Sequence, residues 1–223
     1  MENLPAYIGI IFVVTTILTI VIFFNAAGRS KLVLYIILAW MVLQGIIGQT
    51  EFLKQTDMMP PRLALMVAPT IFLIILLFIT SSGRKFIDSL NIKTLTLLHC
   101  VRVPVEMVLL WLSIHHFVPQ IMTFEGRNFD ILSGITAPIV YYLAFMKSGQ
   151  KKSVLLFWNF ICLGLLFNIV IIAVLSAPFP FQQIGLDQPN IAVLYFPFSW
   201  LPTVIVPIVL LSHLAAIRQL RKS

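Results

Sequence analysis

Three ionisable side chains fall inside one apolar run: His99, Arg102 and Glu106, in Leu97-Leu98-His99-Cys100-Val101-Arg102-Val103-Pro104-Val105-Glu106. At 100° per residue they share one face of a helix, within about 60° of each other. A charged group at the bilayer centre costs roughly 2.5–3.5 kcal/mol on insertion scales, so it is expected to face the protein interior and to have a use. Arg102 and Glu106 are four residues apart and can pair directly. Pairing offsets much of the burial cost, and losing either partner strands the other charge. Pro104 lies between them and has no N–H, so the Cys100 carbonyl loses its usual donor and a kink is expected there. Kinked helices at mid-membrane expose backbone polar groups, and transporters build substrate sites from them. Ser113 extends the same face. His99, Arg102, Glu106 and Ser113 are therefore the candidate ligand or proton site. In it Arg102 binds an anionic group or holds Glu106 ionised, Glu106 is the protonatable coupling group, and His99 relays protons towards the cytoplasm. The competing reading is a structural ion pair that locks this helix against its neighbours.

A second polar cluster is expected on the outer face. His115 and His116 close the same helix, Glu125-Gly126-Arg127-Asn128-Phe129-Asp130 follows, and Glu51 ends an earlier helix. Imidazole and carboxylate together suit a divalent metal. Adjacent histidines point about 100° apart on a helix, however, and no His-x-x-x-His or Cys-x-x-Cys spacing is present, so no metal or other cofactor is assigned. Asp130 is placed to cap the next helix. Glu125 and Arg127 are solvated or gate a cavity below them.

These groups need elements to hold them. A helix needs about 20 apolar residues to cross a bilayer. Seven runs qualify: Pro5–Ala26, Leu32–Gly48, Leu63–Thr80, Thr94–His115, Ile131–Met146, Ser153–Leu175 and Phe198–Ile217. Lipid admits no open sheet edges, so the fold class is an all-α, polytopic bundle of seven transmembrane helices, one domain over residues 1–223. Arg29, Lys31, Arg84, Lys85, Lys93, Lys147, Lys151, Lys152, Arg218, Arg221 and Lys222 fall on one side, with Asp88 as the acid among them. Lys54, Arg62 and Arg127 fall on the other, with Glu2, Glu51, Asp57, Glu125, Asp130 and Asp187. The positive-inside rule then puts the N-terminus outside and the C-terminus in the cytoplasm, as in a multi-pass protein of the plasma or bacterial inner membrane. The first apolar run, preceded by no basic region, reads as an uncleaved anchor.

Three helices that run outside to inside end in Gly28-Arg29, Gly83-Arg84 and Gly149-Gln150-Lys151, where glycine takes up the left-handed closing conformation and cations meet the negative helix end. Pro202 and Pro207 fall within or at the start of the last helix and favour a kink. Thr15, Thr16, Thr19, Gln44, Asn159 and Asn168 are candidate interhelical polar contacts. Ser212 and His213 sit near the cytoplasmic end of the last helix, with His213 read as an interfacial residue beside Arg218.

Composition narrows the function classes. The chain is 60% hydrophobic and 10% charged, with mean hydropathy +1.01, against about 25% charged in soluble domains. Its net charge of +7 lies in short clusters beside apolar runs, which excludes a nucleic-acid face. Cys100 and Cys162 read as small apolar core residues. No lysine lies in the last helix, so a retinal Schiff base there is excluded, and no Walker loop, dinucleotide glycine fingerprint or Gly-x-Ser-x-Gly is present. Beyond the lipid bilayer, the partner class is a small-molecule or lipid ligand. The leading reading is a ligand-binding membrane bundle, either a small solute carrier or a sensor. The alternatives are an enzyme acting on a lipid or lipid-linked substrate at the outer face, and a structural or accessory subunit. The carrier requires Arg102 and Glu106 to face a cavity; a pair sealed in packed side chains favours the accessory subunit.

Overall fold

The structure, a computed structural model, describes residues 4–146 and 152–222, and these are helical with no strand. The helices are α1 (Ala6–Ala26), α2 (Lys31–Gln49), α3 (Arg62–Ile79), α4 (Ser81–Ser89), α5 (Ile92–Ile114), α6 (Ile131–Met146), α7 (Lys152–Ser176) and α8 (Leu201–Lys222). Short single turns occur at Gln120–Met122 and Ala192–Leu194. Among the described residues six helices (α1, α2, α3, α5, α7 and α8) are long and apolar enough to cross a membrane. The remaining apolar helix, α6, is shorter, with 11 residues in α form and 5 in a wider final turn. Glu2, Lys147, Gly149, Gln150 and Lys151, used above for orientation and helix ending, lie outside the described residues.

Central position follows from which faces are buried. The apolar stretches of α5 and α8 are 56% and 67% buried, those of α2 and α3 only 17% and 11%. Hence α5 and α8 form the middle of the bundle. The outer helices expose large side chains such as Leu32, Tyr35, Ile36, Phe72 and Ile79, a surface that suits acyl chains and not water. One apolar core runs through the centre from Ile8 and Phe12 on α1 to Leu109 and Leu112 on α5 and Val204 to Leu211 on α8.

The proline-bearing helices show how freed backbone groups are handled. The helix tightens to a 3-10 turn at His99–Val101, directly under Pro104, where the ring cannot tolerate a normal i−4 carbonyl. In α8 the first turn, Leu201–Ile205, is widened ahead of Pro207. Pro207 denies the Thr203 carbonyl its i+4 donor, and Trp40 of α2 supplies one instead, its Nε1–H donating at 3.0 Å. Trp200 returns the contact, donating to the Met41 carbonyl at 3.0 Å. Gly45 and Gly48 leave room for Trp200 and Ser199 on that face.

Gly28 and Arg29 both adopt left-handed φ, 64° and 59°, closing α1 as expected. Gly83 does not close α3. It sits in α4, and a Cβ there would lie 2.5 Å from the Leu77 Cα and carbonyl oxygen. The actual corner is Thr80, which ends α3 and caps α4 by accepting from Gly83 N at 3.1 Å. Asp88 of α4 accepts from Arg218 (2.9 Å) and Lys222 (2.5 Å) of α8. Those donors, Arg218 first, hold its carboxyl below the usual carboxylate range.

Gly134 sets the approach of α6 to α5. A Cβ there would stand 2.7 Å from Val103 Cγ2 and 3.0 Å from its backbone nitrogen, and small residues permit such approach between membrane helices. Gly134→Ala is expected to destabilise the protein by about 1–3 kcal/mol, read as unfolding in mixed detergent micelles. Unchanged stability would show that α5 and α6 are not so closely packed.

Candidate polar centre

Arg102 is 3% exposed and uses all three side-chain nitrogens. Its Nε donates to Asp130 Oδ2 at 2.6 Å, and Nη2 donates to Asp130 Oδ1 and to the Cys162 carbonyl, the latter at 3.3 Å. Nη1 meets His213 Nε2 at 3.0 Å. The guanidinium fork matches a carboxylate in two parallel bonds, a geometry a lysine cannot supply. One side chain of α5 thereby joins the residue before α6, the middle of α7 and the middle of α8.

The donors fix the histidine. Arginine has no lone pair to offer, so His213 Nε2 is the acceptor and the ring proton lies on Nδ1. Nδ1–H then donates to Asn159 Oδ1 at 2.8 Å. The Asn159 amide donates in turn to the Leu155 carbonyl, also at 2.8 Å. His99 stacks on His213, with ring centroids 3.8 Å apart and planes 18° apart. Trp158 packs edge-on against His99 at 5.4 Å and donates to Thr136 Oγ1 at 2.9 Å. His99 Nδ1 and Ser133 Oγ are buried without a protein partner.

Glu106 is 2% exposed and does not pair with Arg102. Both its oxygens accept from the Asn128 amide, each at 2.7 Å. Asn128 also donates to the Met122 carbonyl at 2.9 Å, and its Oδ1 accepts from Asp130 N at 3.0 Å. Asn128 therefore links the two acids: it holds Glu106 with one end and orients the backbone of Asp130 with the other. Its loop turns inward, leaving Thr123 and Asn128 fully buried. The turn needs Gly126, where a Cβ would lie 2.4 Å from the Gln120 carbonyl oxygen.

Several expectations are corrected by this arrangement. The partner of Arg102 is Asp130 and not Glu106, because the inward loop brings a carboxylate in line with the guanidinium fork. Asp130 precedes α6 but its side chain caps nothing, and it leaves the outer cluster for the interior. His213 is fully buried at the centre and not interfacial beside Arg218, which instead pairs with Asp88. Thr15, Thr16 and Thr19 do not bridge helices; each hydroxyl donates to its own i−4 carbonyl, and Ser212 does the same. Asn168 does make a distant contact, to the Arg127 carbonyl at 2.8 Å, and Gln44 donates to the Met66 carbonyl at 3.4 Å.

His99, Arg102, Glu106 and Ser113 are all buried, and Ser113 lies apart from the network, its carbonyl accepting from Gln188. The outer groups disperse. Glu51 pairs with Lys54 at 2.6 Å, His116 with Gln188 at 3.0 Å, and Glu125 and Arg127 are exposed. Among the described residues no three His, Cys, Asp or Glu side chains gather as a metal centre would need. Asn128 and His213 are the central residues that sequence reasoning missed. A run of polar types in Glu125–Asp130 was the available signal for the first; nothing but its own burial marks the second.

Two cavities stand out among the described residues, and neither has His99, Arg102, Glu106 or Asp130 in its wall. The first, about 10 Å³, is room for roughly one water between Phe12, Leu109, Leu112 and Phe198. The second, about 250 Å³, opens at the far end of the bundle beside Lys93 and Lys152.

Residues 59–221 match the family described as Domain of unknown function (DUF8737), and the chain belongs to that family. All residues of the polar centre fall within the matched stretch, which begins after α2. No curated protein and no solved structure matches the chain.

Proposed function

We propose that the polar centre is a clamp and that the protein is a structural or accessory membrane bundle. One observation carries this reading: Arg102 is 3% exposed with every side-chain nitrogen bonded to protein, and neither of the two cavities described above reaches it. A bound solute would have to displace Asp130 or His213 to reach the guanidinium. Breaking one side of a buried pair costs about 3–5 kcal/mol, so the arrangement resists opening.

A second reading, the small carrier or sensor, is favoured by Glu106. Its carboxyl is buried with a neutral amide as its hydrogen-bond partner, while the nearby cation is committed to Asp130. Burying a charge without a counter-charge is costly, and a group in that position is suited to taking up and releasing a proton. The outer-face enzyme has no comparable support, since Glu51, His116 and Asp130 go to separate partners.

The test compares wild type with Glu106→Gln in detergent, following melting temperature against small anionic, cationic and zwitterionic solutes from pH 5 to 9. A ligand at 100 times its Kd adds about 2.7 kcal/mol of stability. The clamp reading expects no solute to stabilise either protein. A pH-dependent stabilisation of wild type that Glu106→Gln lacks would replace it with the carrier or sensor.

We also propose seven crossings of a cell membrane with the N-terminus outside. The basic groups of the α1–α2 turn, α4, and the tail of α8 support this, as does the joining of α4 to α8 through Asp88. Glu125→Cys should react with a membrane-impermeant maleimide in intact cells, and Lys85→Cys only after permeabilisation. The reverse pattern would invert the topology.

A further inference from the structure

The Asn128 amide nitrogen carries two protons and stands among three acceptors. Nδ2 lies 2.7 Å from each Glu106 oxygen and 2.9 Å from the Met122 carbonyl. One N–H therefore serves the carbonyl, and the other is shared across the carboxyl group. Oδ1 is turned away and accepts from Asp130 N at 3.0 Å. This orientation needs both Glu106 oxygens to be acceptors, the pattern of an ionised acid. A protonated carboxyl carries an O–H donor, and that proton would face Nδ2, itself a donor. Two donors cannot share a hydrogen bond.

The charges around Glu106 are few. On α5, Arg102 is one turn away and committed to Asp130, and His99 stacks on His213. His213 of α8 accepts from Arg102 and holds its ring proton towards Asn159. From α7 comes Cys162, whose carbonyl also meets Arg102. From α1, packed along α5, the titratable side chain is Tyr7, edge-on to Trp111. Glu125 and Arg127 of the loop itself are exposed. Arg102 and Asp130 cancel as a pair, so an ionised Glu106 leaves one net negative charge in an apolar core, and a proton removes it.

We propose that Glu106 is a proton switch for the loop of residues 123–129. A proton taken from solvent turns the Asn128 amide, so that the acid O–H donates to Oδ1 and Nδ2 donates to the other acid oxygen. Oδ1 is thereby drawn off Asp130 N, and the loop loses its tie to the start of α6. Its remaining ties are slight: Gly126 N to the Thr123 carbonyl, Arg127 N to the Ile121 carbonyl, and the Asn168 amide to the Arg127 carbonyl. The Asp130 carboxylate stays on Arg102, because those bonds do not involve Asn128. The inference rests on the clamp reading and gives the clamp a part that moves: the Arg102–Asp130 pair is the fixed point, and the loop swings from it.

The experiment follows hydrogen–deuterium exchange by mass spectrometry on the full chain in detergent from pH 5 to 9, with labelling times scaled to the intrinsic exchange rate at each pH. In wild type the protection of peptides covering residues 121–130 should fall about tenfold towards low pH, the equivalent of roughly one lost hydrogen bond. Residues 50–58, between α2 and α3, should keep theirs. Glu106→Gln presents the donor and acceptor of the protonated acid at every pH, so its loop should stay at the low level throughout, with unchanged protection of α5 and α8 showing that the bundle is folded. A wild-type loop whose protection does not change with pH would overturn the proposal. So would the same pH-dependent fall in Glu106→Gln, or full protection of the loop in that variant. The clamp reading fails separately, through stabilisation by a solute, and loop protection is measured with no solute present.

Discussion

An arginine cannot give up its charge inside a packed apolar bundle, and the middle of this one is arranged around that constraint. Arg102 arrives on α5 with donors pointing three ways. Each must meet an acceptor, because an unpaired buried donor costs about 1–3 kcal/mol and more when charged. The acceptors come from three separate places in the chain: Asp130 before α6, the Cys162 carbonyl in α7 and His213 in α8. Satisfying one side chain therefore fixes the relative positions of four helices. The same constraint reaches outward, since Asp130 can stand where it does only if the preceding loop folds inward, and that loop holds its shape through Asn128 and Gly126.

The loop is also what separates the two acids. Glu106 lies one helical turn from Arg102 on the same face, the spacing that pairs charges on an isolated helix. Tertiary geometry overrides it. Asp130 can approach the guanidinium end-on and form two parallel bonds, whereas Glu106 shares a helix with Arg102 and would reach it side-on. Asn128 then occupies the face of Glu106 that would otherwise be bare. A neutral amide bonded to both carboxyl oxygens leaves Glu106 a buried acid with no cation bonded to it.

Much of this fold was legible in the sequence because hydropathy alone places membrane helices. The apolar runs anticipated the long helices to within three residues at nearly every end, and the last helix runs further, to Lys222. The face shared by His99, Arg102 and Glu106 was equally legible from the 100° period. Pairing across the bundle was not, since no local rule connects residue 102 to 130 or 213. His213 illustrates why: its neighbours Arg218 and Arg221 suggest an interface, and only the packing of α8 against α5 and α7 shows it buried. Gly83 failed for a related reason. A glycine before an arginine reads as a helix end, whereas here its missing Cβ lets α4 fold back over Leu77.

The central claim is that Arg102 is tied to Asp130 and not to Glu106. A pair of double-mutant cycles tests it directly, with unfolding free energies measured in mixed micelles for Arg102→Met, Asp130→Leu, Glu106→Gln and the two doubles that contain Arg102→Met. Arg102→Met and Asp130→Leu should each cost about 3–5 kcal/mol, and their double should recover much of the loss, since an apolar replacement of a buried pair is often near neutral. The Arg102–Glu106 coupling should fall below about 0.5 kcal/mol, the level at which independent sites add. A coupling between Arg102 and Glu106 as large as that between Arg102 and Asp130 would contradict the account.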